Sequence, residues 1–145
     1  MMRVLVTGAS GLLGHKIVDA RARHVRDWLY VTDNGAAIDL VTQRGAAGEI
    51  YNIASGEEQA NVEVAKGILK LLKKPEGLIK WVTDRPGHDR RYSLSIAKIR
   101  TLGWEPKAAF SEGLKRAVNW YMGNPWWWQP LMRDNFFKAN SPWLR

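Results

Sequence analysis

The most definite chemistry in this sequence lies in its first strand-to-helix turn, Thr7-Gly8-Ala9-Ser10-Gly11-Leu12-Leu13-Gly14. Gly8 lets a chain leave a strand tightly, Gly11 removes the Cβ where a pyrophosphate must approach the backbone, and Gly14 permits close helix packing. A helix N-terminus placed behind them presents free N–H groups and positive dipole to phosphates. Gly8, Gly11, Leu12, Leu13 and Gly14 are therefore the candidate cofactor-binding residues, for a dinucleotide. A strand–helix turn that binds nothing is the alternative. A dinucleotide site should also show an acid about 20 residues past the glycines, for the adenosine ribose. Asp33, at the end of Trp28-Leu29-Tyr30-Val31-Thr32-Asp33, meets that spacing if this run is a strand. Its rival role is the N-cap of a helix over Ala36 to Val41.

These residues need elements to hold them. Val4-Leu5-Val6 reads as a short buried parallel strand, and His15 to about Arg23 as the helix behind the glycines. Glu49 to Ile53 reads as a strand. Val62, Ala65, Ile68, Leu69 and Leu72 fall at helical spacing, with Asn61 as N-cap and Lys73-Lys74-Pro75 as the stop. Leu78 to Thr83 reads as a further strand, followed by the charged loop Asp84-Arg85-Pro86-Gly87-His88-Asp89-Arg90-Arg91-Tyr92. A short helix through Ile96 and Ile99 is stopped by Gly103. Ser111 then caps a helix whose Leu114, Ala117, Val118 and Tyr121 share a face. The tail from Gly123 carries Trp126-Trp127-Trp128, Phe136, Phe137 and Trp143, which read as packing residues.

Composition narrows the possibilities. The 145 residues suit one domain, and 46% hydrophobic with 25% charged residues is ordinary for a globular chain. With no cysteine, a disulfide framework, a thiolate zinc site and a thiol nucleophile are excluded. No apolar run approaches the ~20 residues of a membrane span, and the N-terminal run is too short and glycine-rich for a secretory signal. A cytoplasmic chain with no membrane association is expected. The net charge of +8 is concentrated early, where Arg3, Lys16, Arg21, Arg23 and Arg26 face only Asp19. Aromatic residues are not interleaved with the basic ones as stacking platforms would be, which argues against nucleic acid as a partner.

The segments His24-Val-Arg-Asp-Trp-Leu-Tyr-Val-Thr-Asp33, Gly48-Glu-Ile-Tyr-Asn-Ile53, Asp84 to Tyr92 and Leu102-Gly-Trp104 closely resemble the C-terminal half of dTDP-glucose 4,6-dehydratases. These enzymes belong to the extended short-chain dehydrogenase/reductase superfamily, whose N-terminal NAD motif Thr7-Gly8-x-x-Gly11-x-x-Gly14 resembles. The resemblance implies an α/β fold. A truncated Rossmann-like strand–loop–helix unit at 1–23 would join the smaller nucleotide-sugar-binding lobe at 24–145. Members are about twice as long as this chain, and the region they place between these two parts is absent.

The reaction implied by the family is oxidation of the sugar at C4 by NAD, loss of water across C5–C6, and hydride return to C6. It relies on a Tyr-x-x-x-Lys pair and an Asp-Glu pair. Here Tyr30, Tyr51, Tyr92 and Tyr121 are followed four residues on by Asn34, Ser55, Ile96 and Pro125, and no Asp-Glu dipeptide occurs. By the same resemblance Asp33 begins a helix rather than holding a ribose, so the cofactor, NAD, is expected to bind weakly. Arg26 matches the arginine that reaches the substrate diphosphate. Asn61 matches an asparagine at the nucleotide, and Arg85 and His88 match loop residues at the same diphosphate and nucleotide. For Arg85 the plain alternative is a surface ion pair with Asp84 or Asp89. The expected partner is a dTDP-sugar or dTDP. A second expected partner is another copy of the chain, through the exposed edge of the Val4–Val6 strand. Three readings follow: a dehydratase relative that keeps substrate binding without turnover, a non-catalytic nucleotide-binding module, or a remnant with no ligand.

Overall fold

The computed structural model describes residues 24–79 and 89–133, with side chains described to 130. Gly8, Gly11, Leu12, Leu13, Gly14, Arg85 and His88, the Val4–Val6 strand, the helix after it and the tail beyond Arg133 lie outside the described residues. The expected 78–83 strand lies mostly outside as well; its first residue closes a 3-10 turn, Glu76–Leu78.

The described sheet has two antiparallel strands. β1 (Val25–Asp27) pairs with β2 (Glu58–Ala60) in the register Val25↔Ala60, Arg26↔Gln59, Asp27↔Glu58. On the other side of β1 the chain at Arg91 forms a parallel bridge to Val25, with the Val25 N–H donating to Arg90 O at 2.8 Å and the Tyr92 N–H to Val25 O at 3.2 Å. The strand expected over 28–33 therefore sits earlier. The ladder stops at Asp27, opposite the first residue of β2, and α1 (Val31–Arg44) starts four residues later. Both Asp33 and Asn34 turn their N–H groups onto Tyr30 O at 3.1 Å, closing a helical turn where the strand was expected. Helix α1 is also longer than the 36–41 span expected.

The segment 49–53 forms no strand either, because no strand among the described residues lies beside it. Tyr51 and Ile53 nevertheless pack on the core while Ile50 stands 81% exposed. The helix expected after Asn61 is present as α2 (Asn61–Leu71), burying Val64, Ala65 and Leu69. Asn61 is its first helical residue and not its cap: Ala60 holds the cap position, and the Asn61 N–H donates to His24 O at 2.9 Å. α3 (Ala97–Arg100) ends in a turn at Gly103, whose φ of +88° favours glycine. α4 (Phe110–Gly123) begins one residue before Ser111, so Ser111 is not its cap. Glu57 supplies the missing acceptor, its Oε2 taking the Phe110 N–H at 2.8 Å. α5 (Pro125–Arg133) carries the three consecutive tryptophans, of which Trp128 is buried and donates its indole N–H to Tyr121 O at 2.9 Å.

Two packing centres hold these pieces. Ala37 of α1, Ala54, Ile96, Ile99 and Trp104 form one buried cluster, with Leu29, Leu40, Val41, Tyr51 and Ile53 around it. The turn at Gly103 delivers Trp104 into this cluster. The other centre is the seam of α2 on α4, so close that a Cβ on Gly67 would lie 2.9 Å from Leu114 Cδ2.

A forked ion pair crosses the sheet. Arg91 Nε donates to Glu58 Oε2 at 2.7 Å and Nη2 donates to Oε1 at 2.9 Å. These bonds, with one from Ser93, hold the Glu58 carboxyl below the usual carboxylate range and raise the Arg91 guanidinium. A depressed carboxyl contributes stability above its unfolded-state value and loses it as pH falls through the lower folded value. Thermal melts should therefore show wild type above Glu58→Gln at neutral pH, with the gap closing once the solution is acid enough to protonate Glu58; a gap that persists there would contradict this account. Ile99 is fully buried, and Ile99→Ala should cost about 2–5 kcal/mol in denaturant unfolding by lost transfer energy and the cavity left behind.

Candidate functional site: the arginine of β1 and the chain beside it

Arg26 is the central residue of β1, and its side chain extends over the neighbouring segment 89–92. Its Nη1 donates to Val25 O at 2.7 Å and Arg90 O at 3.3 Å, and Nη2 donates to Asp89 O at 2.9 Å. The guanidinium carbon lies 4.2 Å from the centre of the Tyr92 ring, within cation–π range. The Tyr92 hydroxyl donates in turn to the Asp89 carboxylate. Arg26 is thus held over an aromatic face with its donors turned toward the end of the charged loop. A planar, permanently charged fork in that setting suits a phosphate group.

Asn61 sits at the start of α2, one ladder position past the residue paired with Val25. Its Oδ1 is buried and accepts no hydrogen bond, and Trp28 Nε1 is a buried donor with no acceptor. Such atoms are uncommon in folded proteins because each forfeits its hydration. The His24 carbonyl joins β1 to Asn61, and the His24 side chain is buried. The fold thus brings Arg26, Asn61 and the last residues of the 84–92 loop to one end of the sheet. Arg85 and His88 lie outside the described residues.

Asp33 does different work from either role expected of it. It is the third residue of α1, only 6% exposed, and its Oδ2 accepts the Lys107 N–H at 3.0 Å and the Ala108 N–H at 2.8 Å. Tyr30 holds the cap position of α1, so Asp33 anchors the approach to α4 instead. At 6% exposure, with Oδ2 on two backbone amides, this carboxylate is a buried anchor within the fold. The surface depression lined by Asp33, Asp39, Trp104, Glu105 and Lys107 is accordingly a seam between α1 and this segment.

Sequence reasoning overlooked Tyr92 as the ring beneath Arg26, and Asp27. The Asp27 carboxylate accepts the Ser55 N–H at 2.6 Å, the Ser55 hydroxyl at 2.7 Å and the Gly56 N–H at 2.7 Å. The available signal was the acid directly after Arg26, set against a Ser-Gly pair that closes an apolar run. Two further carboxyls are held low by exposed cations, Glu49 by Lys98 and Glu112 by Arg116, both away from Arg26. Among the described residues no group of three or more His, Cys, Asp or Glu could hold a metal ion, and no helix is long and apolar enough to cross a membrane.

The chain is 50% identical over 107 residues to the dTDP-glucose 4,6-dehydratase of Streptomyces niveus, covering 73% of this chain and 32% of that protein. It is 39% identical over 131 residues to the Escherichia coli dTDP-glucose 4,6-dehydratase, covering 82% and 36%. The crystal structure of the Bacillus anthracis enzyme in complex with NAD superposes with a TM-score of 0.75 at 46% identity, over 81% of this chain and 38% of that one. The Streptomyces venezuelae dTDP-glucose 4,6-dehydratase with NAD and TYD bound gives a TM-score of 0.76 at 41% identity, over 81% and 37%. The chain spans about a third of the length of the curated relatives it matches. Its fold is the α/β fold of these short-chain dehydrogenase relatives, in part. Residues 7–117 match the family described as GDP-mannose 4,6 dehydratase, and the chain belongs to that family, resembling within it the dTDP-glucose 4,6-dehydratases.

Proposed function

We propose that this chain binds a dTDP-sugar, or dTDP itself, through its 24–145 lobe and does not turn it over unaided. The observation that carries this reading is the setting of Arg26. A strand arginine lies over an aromatic ring beside the last residues of the charged loop, with a buried, unsatisfied Asn61 oxygen at the same end of the sheet. Arg26 and Arg85 would fork onto the diphosphate, where charge-assisted bonds form in parallel pairs. Asn61 and His88 would contact the nucleotide. That the related Streptomyces venezuelae structure has TYD bound supports the ligand class.

Turnover calls for groups this sequence lacks. It has no Tyr-x-x-x-Lys and no Asp-Glu pair, and each general acid or base contributes about 10²–10⁴ in rate. For NAD, Gly8, Gly11 and Gly14 would let the backbone approach the pyrophosphate, and the NAD complexes among the relatives support this cofactor. Asp33, the acid at the expected spacing, is buried and joined to the backbone of Lys107 and Ala108. When bound, NAD would supply hydride chemistry. NAD affinity is expected to be in the high micromolar range or weaker, about the level left by one anchoring contact set, and a sub-micromolar value by calorimetry would refute this assignment.

The nucleotide-sugar site is tested at Arg85, because Arg26 also holds backbone. Arg85→Ala should weaken dTDP binding by roughly ten- to a hundredfold, as expected for the loss of a charge-assisted pair of bonds. Arg44→Ala, at the exposed end of α1, should change little. Equal dTDP affinities for wild type, Arg85→Ala and Arg44→Ala in calorimetry would overturn the site. No binding by any of the three would favour a remnant without a ligand.

A further inference from the structure

Arg91 and Glu58 are 33 positions apart in sequence yet meet through two parallel hydrogen bonds. Exposed ion pairs usually contribute little, because two long side chains must be ordered for a screened attraction. This pair differs in two respects. Its fork fixes the plane of the guanidinium as well as its position. Both partners also belong to backbone already tied to β1: Glu58 lies opposite Asp27 in the ladder, and Arg91 bridges Val25 from the other side. The pair therefore crosses β1 and straps segment 89–92 to β2.

Successive residues of an extended chain point to opposite faces. Arg91 and Glu58 share one face of the sheet, and Tyr92 and Arg26 emerge on the other, where the ring lies under the guanidinium. The carbonyls of Asp89 and Arg90 receive the Arg26 donors. We propose that Glu58 and Arg91 are positioning residues for Arg26: the strap fixes segment 89–92, and that segment fixes where Arg26 presents its guanidinium to a nucleoside diphosphate. The inference rests on the nucleotide reading above. It adds to that reading two residues on the opposite face of the sheet, neither of which would touch the ligand.

The test uses the full chain and three readouts: amide hydrogen exchange at Val25 and Tyr92, dTDP affinity by calorimetry, and Tm. Those two N–H groups donate to Arg90 O and Val25 O, so their exchange reports directly on whether segment 89–92 stays on β1. Glu58→Gln should speed exchange at both amides and weaken dTDP binding about threefold to tenfold, between the effect of a surface pair and that of a charge-assisted bond. Exchanging the charges, Glu58→Arg with Arg91→Glu, should return both readouts toward wild type. Arg116→Gln removes an exposed pair of similar length, 2.9 Å to Glu112 on α4, and should lower Tm comparably while leaving exchange and affinity alone. The proposal falls if Glu58→Gln leaves exchange at Val25 and Tyr92 unchanged, if Arg116→Gln weakens dTDP equally, or if the charge exchange restores nothing. Should wild type bind no dTDP while Glu58→Gln still speeds exchange at those amides, the nucleotide reading fails and the strap stands.

Discussion

The Asp27 carboxylate is the fixed point of this fold. β1 has three residues and one antiparallel partner, too little ladder to hold a chain by itself. Asp27 adds three hydrogen bonds at the point where the ladder ends, taking the backbone N–H groups of Ser55 and Gly56 and the Ser55 hydroxyl. That capture delivers the chain into β2 in register, and β2 leads straight into α2. The same device recurs twice. Asp33 carries α1 to the residues before α4, and Glu57 takes the first N–H of α4 itself. Three carboxylates on backbone amides thus do the joining that a wider sheet would otherwise do. Each satisfies donors that would lose hydration unpaid if left bare.

This arrangement explains which parts of the fold could be read from sequence. Helices α2 and α4 were legible because each has a run of apolar residues at helical spacing, and burial of that face decides the structure. Gly103 was legible because a residue with φ of +88° ends a helix for steric reasons. The strands expected over 28–33 and 49–53 were misplaced for the opposite reason. Val25–Asp27 offers a single hydrophobic residue in three, and its strand character comes from Ala60 and Arg91 on either side, which no local pattern encodes. Trp28 to Asp33 looks more like a strand but has no strand partner among the described residues. The capping roles failed similarly, because the acceptor for α4 comes from Glu57, 53 positions before Phe110, rather than from the adjacent Ser111.

For the candidate site, residue identity was legible and environment was not. Arg26 and Asn61 stand out in sequence only through resemblance. What makes them interpretable physically is the aromatic ring 4.2 Å from one and the missing partner of the other. Tyr92 attracts no notice in a run of charged residues until the parallel bridge at Arg91 turns it toward Arg26. The site is a property of the crossing between β1 and the 89–92 segment.

The aromatic junction of α4 and α5 has an optical consequence. The rings of Trp120, Tyr121 and Trp127 meet edge to face, with centroids 5.2, 5.3 and 6.4 Å apart. Chromophores this close, and held at fixed angles, couple their electronic transitions and rotate polarised light strongly. The near-ultraviolet circular dichroism therefore carries a coupled contribution from the junction of α4 and α5, far in sequence from β1. Its tryptophan emission is divided in the same region, between Trp126 at 69% exposure and Trp128 at 6%. Spectroscopic unfolding followed by tryptophan thus mixes the α4–α5 corner with Trp104 in the buried cluster and Trp28 beside β1, and ring coupling at the corner is what tells its loss apart from theirs.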